Sequence, residues 1–303
     1  MATISLCMIV KNEEKVLTRC LDSIADLMDE IIIVDTGSTD STKEIAGRYT
    51  DLVYDFKWVD DFSAARNFAF EKATMDYIYS ADADEILDEE NHRQFALLKE
   101  AIVPEVEIVQ MHYREEGIQT VLNENDEYRP KLFKRLRTFT WIDPVHETVR
   151  LDPVVFDSDI YITHKPEGNH SGRDFSIFEK SYEKQGNLSC RILTMYEKEL
   201  YKWGNIEDLE HSVAIILDMI DRDCYPEEAL QEAYVILART ARLKNEDEVF
   251  LEYANELIDK APCSEIMVEL SLFYEEKGED DEAVEWLRKA REETEPILDS
   301  GCI

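Results

Sequence analysis

The first half of the chain alternates compact apolar runs with amphipathic segments of helical periodicity. The apolar runs have the near-continuous hydrophobicity of buried strands, and they lie at residues 3–10, 30–35, 51–56 and 76–81. The amphipathic segments between them lie at residues 13–25, 40–49 and 62–73. This alternation predicts a parallel sheet that is covered by helices on both faces.

A different pattern follows a predicted helix at residues 91–101. Strand-like runs come at residues 106–114, 129–135, 146–151 and 155–164, with no long helical segment between them. Parallel neighbours need long crossover connections, and these runs lack them. We therefore expect an α/β fold with a mixed, mainly parallel sheet that ends in antiparallel additions.

After the last of these runs, strand signals disappear and amphipathic helices rich in Glu, Leu, Ala and Tyr take over. This change predicts a domain boundary within 165–190, and we assign the domains to residues 1–170 and 171–303. The segments 227–262 and 264–296 share one plan of helix, polar turn, helix and proline. This plan resembles tetratricopeptide repeats, so the second domain is expected to be all-α, with an unrelated helical bundle as the alternative.

The charge of the chain restricts its partners. With 33 basic and 68 acidic residues the formal net charge is −35, and 44% of the residues are hydrophobic. This composition is typical of an acidic globular protein rather than a disordered one. Nucleic acid and anionic membranes would be repelled, so neither is an expected partner.

The sequence also indicates a cytoplasmic location. No apolar run approaches the ~20 residues that are needed to span a bilayer. The first residues, MATISLCMIVKNEE, lack the basic region and the small-residue cleavage site of a signal peptide. The six cysteines have no metal-binding spacing, so reduced thiols are expected.

Acidic residues stand where two predicted strands end. Asp35 ends one strand, and Gly37 and Asp40 follow it in a turn and a helix cap. Asp82 and Asp84 flank a single alanine at the end of another strand. Two such carboxylates repel each other unless a cation lies beside them, and Mg²⁺ or Mn²⁺ suits oxygen ligands and substrate phosphates. The pattern therefore favours a metal site at the carboxyl edge of the sheet.

Four segments have the order and spacing of the family 2 nucleotide-sugar glycosyltransferases, and they are residues 4–24, 30–46, 61–73 and 76–85. The chain resembles this family over about its first 165 residues. The resemblance implies a GT-A (Rossmann-like) catalytic domain, here followed by the all-α helical-repeat domain. It also implies a Mn²⁺ or Mg²⁺ cofactor and a nucleotide-sugar donor, most simply a UDP-sugar.

Carried over position by position, the resemblance implies a set of nucleotide-sugar-binding residues. They are Ile9, Val10, Asn12, Glu14, Asp35, Arg66, Asn67, Asp82 and Ala83. The first three would line the nucleotide pocket, with Glu14 beside it, and Asp35 would accept a hydrogen bond from uracil. Arg66 and Asn67 would meet the sugar or diphosphate, although a plain surface charge is the alternative for Arg66. Asp82 would reach the ribose and the metal, and Asp84 would bind the metal directly.

A further motif, EYRPKLFKRLRTFTWIDPVHETVRL at 127–151, resembles the R-x-x-LF … VHE region of bacterial family 2 enzymes with helical repeats. Some of those, including the sublancin-type peptide glycosyltransferases, modify peptides or proteins rather than glycans. The resemblance narrows the expected branch of the family and brings a peptide acceptor into consideration.

Transfer with inversion needs a base that takes the proton of the acceptor. We assign Glu147 to this role, with Asp143 as the competing candidate and His146 beside it, although His146 as a structural histidine is the alternative. His164 matches a histidine that in related enzymes meets the metal or the diphosphate, so it is expected to be a third metal ligand besides Asp82 and Asp84.

These observations predict a metal-dependent, inverting glycosyltransferase that moves a hexose or N-acetylhexosamine from UDP to a peptide or protein. A lipid-linked or cell-envelope glycan is the alternative acceptor, and a non-catalytic scaffold is the alternative class. A nucleotidyltransferase is disfavoured because CMIVKNEEKV contains no glycine to grip a triphosphate. The missing Q-x-x-R-W motif argues against a polysaccharide synthase. The sequence leaves the sugar, the acceptor atom and a homodimer through the helical domain open.

Overall fold

A computed structural model describes residues 1–115, 127–136, 141–142, 148–149, 153–165, 171–222, 225–299 and 301. The chain divides into two compact units, Met1–Gly168 and Asn169–Ile303. Within the described ranges, no helix is long and apolar enough to cross a membrane.

The first unit contains strands and helices in alternation, followed by a strand-rich part. The strands are β1 Ile4–Val10, β2 Glu30–Asp35, β3 Val53–Asp55, β4 Tyr77–Ala81, β5 Glu85–Ile86, β6 Ile108–Glu115, β7 Glu127–Lys134, β8 Trp141–Ile142, β9 Thr148–Val149 and β10 Val155–His164. The helices are α1 Leu17–Ile24, α2 Thr42–Ala46, α3 Phe62–Lys72 and α4 Glu89–Ala101, and α1 continues into a 3-10 turn, Ala25–Leu27.

One mixed sheet organises this unit. Its order in the described part of the chain is β3-β2-β1-β4-β7-β6-β10-β5, and β8 pairs with β9 separately. The neighbours among β3, β2, β1 and β4 are all parallel, as are β6 and β10. β7 is antiparallel to β4 and β6, and β5 is antiparallel to β10. The predicted α/β class, with a mixed, mainly parallel sheet and a helical region after it, is confirmed.

The central strand β4 is buried at every position because it carries apolar side chains toward both faces of the sheet. On one face the ring of Tyr79 packs edge-on against Phe95 of α4, with 5.1 Å between the ring centroids. On the other face Ile78 joins Ala69 of α3 in a second cluster. Covered on both sides, β4 holds the acidic residues that follow it at a fixed point.

The second unit is helical throughout its described part. Its helices are α5 Ser171–Gln185, α6 Cys190–Trp203, α7 Ile206–Asp221, α8 Glu227–Leu243, α9 Asp247–Lys260, α10 Ser264–Glu276 and α11 Asp280–Glu292. The two predicted helix–turn–helix segments correspond to the pairs α8–α9 and α10–α11. Whether they belong to the tetratricopeptide class stays a prediction.

The two helix pairs close with the same turn. In the first, Asn245 has a φ of 59° and the backbone N–H of Glu246 donates to Ala241 O at 2.9 Å. In the second, Gly278 has a φ of 77° and the N–H of Glu279 donates to Tyr274 O at 2.9 Å. Both pairs therefore use the left-handed turn that commonly ends an α-helix.

Candidate active site

Parallel pairing brings three loops to one edge of the sheet. Val10 is the register partner of Asp35, and Met8 is that of Ala81, so β1, β2 and β4 end side by side. In open α/β sheets, ligands bind in the crevice beyond the carboxyl ends of the strands. Asn12, Glu14 and Asp35 lie at or just after the ends of β1 and β2, and Asp82 and Asp84 follow β4.

The loops after β1 and β2 are tied together by hydrogen bonds. The backbone N–H of Asn12 donates to Ser38 Oγ at 2.9 Å, and that of Thr39 donates to Asn12 Oδ1 at 2.8 Å. The N–H of Ser41 donates to Glu14 Oε2 at 3.0 Å. Asn12 has a φ of 58°, a left-handed conformation that asparagine tolerates better than most residues. Asn12 and Glu14 therefore hold the wall of the predicted nucleotide pocket in place.

Asp35 is fixed at the end of β2 with one carboxylate oxygen to spare. Its side chain is buried, and Oδ1 accepts hydrogen bonds from the backbone N–H groups of Gly37 and Ser38, both at 2.9 Å. Gly37 has a φ of 109°, which suits glycine at this tight turn. Oδ2 is buried and accepts no hydrogen bond from any described residue. A buried oxygen of this kind is expected to have a partner, so a ligand N–H is its natural complement.

Arg66 of α3 lies against the first acid after β4. Its Nη2 donates to Asp82 Oδ1 at 3.4 Å, and its Nη1 donates to the hydroxyl of Ser80. Burial acts to raise the pKa of Asp82, but the charges of Lys131 and Arg66 outweigh it and hold that pKa below its ordinary value. Asp82 is therefore ionised and faces a cationic side chain.

Asp84 and His164 lie next to each other. Asp84 Oδ2 is 2.8 Å from His164 Nε2, and about a fifth of each side chain is exposed. The pairing of β5 with β10 places Glu85 opposite His164, and Lys165 N–H donates to Asp84 O at 3.0 Å. Asp84 and His164, far apart in the sequence, thus meet at the edge where β4 ends.

The side chains at this edge supply some of the ligand atoms that a hard divalent cation needs. Asp84 offers a carboxylate and His164 an imidazole nitrogen, with Asp82 two residues before Asp84 in the same turn. Among the described residues, no group of three or more His, Cys, Asp or Glu side chains is arranged to hold a metal on its own. Mg²⁺ and Mn²⁺ are commonly held by one or two protein carboxylates together with substrate phosphates, so Asp84 and His164 fit such an ion.

Glu85 and Lys131 form a buried ion pair beneath this turn. The Lys131 ammonium donates to Glu85 Oε1, and both side chains are almost inaccessible to solvent. Burial raises the pKa of Glu85 to about 7 despite the opposing effect of Lys131. Sequence reasoning missed Lys131, because no local pattern in the strand RPKLFKR distinguishes it from Lys134.

The remaining predicted binding residues take varied places. Ile9 is half-buried, Val10 is buried at the end of β1, and Ala83 is buried between Asp82 and Asp84. Asn67 is exposed on α3, next to Arg66. The ligand contacts of these residues stay predictions.

The three predicted catalytic residues are Glu147, His146 and Asp143, and all of them lie outside the described residues. The assignment of Glu147 as the base, with Asp143 as the competing candidate and His146 beside it, therefore stays a prediction from the sequence.

Comparisons with known proteins give one family match and several partial relatives. A model of the family described as Glycosyl transferase family 2 matches residues 5–149. Over 87 residues the chain is 52% identical to a TPR repeat-containing protein of Synechococcus elongatus, and the match covers 29% of this chain and 22% of that protein. Over 96 residues it is 42% identical to the SPbeta prophage-derived glycosyltransferase SunS of Bacillus subtilis, covering 31% of this chain and 23% of SunS. The chain thus spans less than a quarter of the length of these two relatives.

A crystal structure of glucosyl-3-phosphoglycerate synthase from Mycobacterium tuberculosis, in complex with Mn²⁺ and UDP-glucose, also matches the chain. The TM-score is 0.32 at 23% identity, and the match covers 37% of this chain and 44% of that one.

Proposed function

Residues 5–149 are a glycosyl transferase family 2 domain, and from this premise we propose that the protein is a metal-dependent, inverting glycosyltransferase. It moves a hexose or an N-acetylhexosamine from a UDP donor to a peptide or protein acceptor. The observation that carries the proposal is the Asp84–His164 pair, which lies where the turn after β4 meets the end of β10.

The donor would lie along the carboxyl edge of β1, β2 and β4. Oδ2 of Asp35 would accept the imide N–H of uracil, since its other oxygen is already used by the turn. Arg66 would turn its guanidinium from Asp82 toward the diphosphate, which it can contact through two parallel hydrogen bonds.

The leaving group would be stabilised at the Asp84–His164 pair. These residues would hold a Mn²⁺ or Mg²⁺ ion, which when bound offsets the negative charge that builds on the diphosphate as the sugar departs. Glu147, or Asp143 in its place, would take the acceptor proton as the nucleophile attacks the anomeric carbon from the opposite side. His146 is proposed to orient that base.

The helical unit supports the choice of a peptide acceptor. Its pairs α8–α9 and α10–α11 repeat one turn geometry, and stacked helix pairs commonly form surfaces that hold extended peptides. A lipid-linked or cell-envelope glycan is the competing acceptor.

The donor half of the proposal is tested by thermal shift with UDP-, GDP- and TDP-sugars, each with and without Mn²⁺. A ligand that binds the folded state raises the melting temperature with the logarithm of its concentration over Kd. We expect the UDP-sugars with Mn²⁺ to give the largest shift, and Asp84→Asn and His164→Ala to lose the Mn²⁺-dependent part. Asp51→Asn, a change of an exposed acid, is the matched control. Equal shifts for all nucleotides, or none, would count against the proposal.

Turnover and acceptor class need a second assay. Slow release of free UDP from a UDP-sugar in the presence of Mn²⁺ would exclude a non-catalytic scaffold. Mass spectrometry of a peptide library after incubation with donor is expected to show a mass increase of one sugar. Transfer to glycan acceptors without transfer to any peptide would favour the alternative.

A further inference from the structure

Lys131 occupies a β-bulge in β7. Leu132 pairs with Val109 of β6, but the next pair along the ladder is Pro130 with Gln110, so Lys131 has no register partner. A bulge inserts one extra residue and re-aims its side chain, and bulges recur beside active sites. Here the re-aimed lysine is buried, with 6% of its surface exposed.

The bulge directs Lys131 to the base of the turn that carries the predicted metal ligands. Its ammonium donates to Glu85, which directly follows Asp84 and is the register partner of His164. The turn itself is closed by the N–H of Glu85, which donates to Asp82 O at 3.2 Å. Lys131 therefore contacts Glu85, which is the chain neighbour of Asp84 and the strand-pairing partner of His164.

An aromatic ring links the same lysine to the histidine. Lys131 Nζ lies 5.3 Å from the centroid of the Tyr113 ring, and that ring lies 5.4 Å from the ring of His164. Tyr113 is buried, so it forms a wall between the ion pair and the imidazole. Lys131 thus supports Asp84 through Glu85 and His164 through Tyr113.

Charge gives a reason for a lysine at this position. The turn carries three acids within four residues, Asp82, Asp84 and Glu85, and repulsion among them would spread the turn. Arg66 meets Asp82 from a partly exposed position, whereas Lys131 meets Glu85 from the interior. A buried ion pair that served folding alone would be replaceable by apolar residues, since its desolvation offsets its attraction.

We propose that Lys131 is a positioning residue for the metal–nucleotide site, holding Glu85 so that Asp84 and His164 face a common point. The inference rests on the proposed function, in which those two residues hold the cation. It also gives the R-x-x-LF motif, residues 129–133, a role, because the bulge in this motif turns Lys131 toward Glu85.

The test measures binding rather than turnover. Isothermal titration of UDP with and without Mn²⁺, and titration of Mn²⁺ followed by electron paramagnetic resonance, are run on the wild type and on Lys131→Met. We expect Lys131→Met to weaken Mn²⁺ binding in the presence of UDP by about 10- to 100-fold, as for residues that orient metal ligands. UDP binding without metal should not change, because the loops around Asp35 are untouched. Lys134→Met, on the same strand with its ammonium on Pro104 O, is the matched control and should bind like the wild type.

A second variant separates positioning from folding. Lys131→Met leaves Glu85 buried and unpaired, which by itself can unfold the domain. The double variant Glu85→Gln/Lys131→Met removes both charges of the buried pair, so it should melt near the wild-type temperature and still bind Mn²⁺ weakly. Wild-type Mn²⁺ affinity in the double variant would overturn the inference, as would an equal loss of metal-free and Mn²⁺-dependent UDP binding in that variant when it melts like the wild type. A wild-type protein that shows no Mn²⁺-dependent UDP binding would overturn the proposed function, and this inference with it.

Discussion

Asp35 is the residue that we propose reads the base of the nucleotide. Its Oδ1 is held by two backbone N–H groups, so an Asp35→Asn variant keeps its carbonyl oxygen there and presents an amide NH₂ in place of Oδ2. That NH₂ opposes the imide N–H of uracil and complements the acceptor nitrogen of cytosine. Because a hydrogen bond to a charged group contributes about 1.5–3 kcal/mol, we expect UDP affinity to fall roughly 10- to 100-fold. Calorimetry with UDP and with CDP measures the change.

The control for this prediction is the register partner of Asp35. Asp55 ends the neighbouring strand β3 with most of its side chain exposed, and its carboxylate lies 2.6 Å from Lys43 Nζ. Asp55→Asn should leave the preference for UDP over CDP unchanged. If Asp35→Asn also kept that preference, Asp35 would have no part in reading the base.

Among single residues, the acidic residues of the candidate site were easier to predict from the sequence than Lys131, the proposed positioning residue. Asp35, Asp82 and Asp84 were predictable because acids at the ends of apolar strands converge on one edge of the sheet. Lys131 was not predictable, because its direction depends on a one-residue register shift between two strands. Such a shift follows from the packing of the sheet, and no local pattern in the sequence encodes it.

At the scale of elements, the turn between α10 and α11 predicts how a substitution of Gly278 changes stability. Gly278 has a φ of 77°, and a Cβ built there would meet nothing within 4 Å, so only the backbone conformation opposes a side chain. We expect Gly278→Ala to lower the local stability of α10–α11 by about 1–2 kcal/mol. Gly278→Asn should cost less, because Asn245 adopts the same conformation in the preceding pair. Native-state hydrogen exchange of the amides of α11 measures both variants, and wild-type protection in Gly278→Ala would contradict the prediction.

Strands and helices were predictable from the sequence where the hydrophobic pattern of the segment itself determines them. The apolar run at 155–164 coincides with β10, and the amphipathic segment at 62–73 with α3. β5 was missed because it has two residues and is defined by its pairing with β10, far along the chain. The segment 40–49 was predicted too long, since α2 ends before Gly47.

The whole molecule is strongly acidic, with a net charge of −35, and some of its carboxyl groups are buried. Two of the buried acids in the helical unit are well paired. Glu265 accepts the N–H of Leu298 at 2.6 Å, and Glu269 lies 2.7 Å from Nε of Arg242. Glu197 differs, because neither of its buried oxygens has a hydrogen-bond partner among the described residues.

Glu197 should make the stability of the helical unit depend on pH. Burial, and then the neighbouring carboxyl of Glu232, raise the pKa of Glu197 well above its ordinary value, against a weaker effect of Lys198. Because the folded state binds this proton more tightly than the unfolded state, the contribution to stability is fully present below the ordinary pKa of glutamate. It is lost as the pH rises through the raised pKa.

Replacing Glu197 by glutamine, its neutral isostere, tests whether stability falls as the pH rises. Glu197→Gln should melt at a higher temperature than the wild type at about pH 8 and at nearly the same temperature at about pH 4, below the ordinary pKa of glutamate. A gain of about 1 kcal/mol corresponds to about 4 °C for a unit of this size. Calorimetric scans of the full chain across this range measure the difference, with Glu252→Gln, an exposed acid of α9, as the control. A variant that gained equally at both pH values would owe its stability to packing, and the carboxyl pair would then carry no pH dependence.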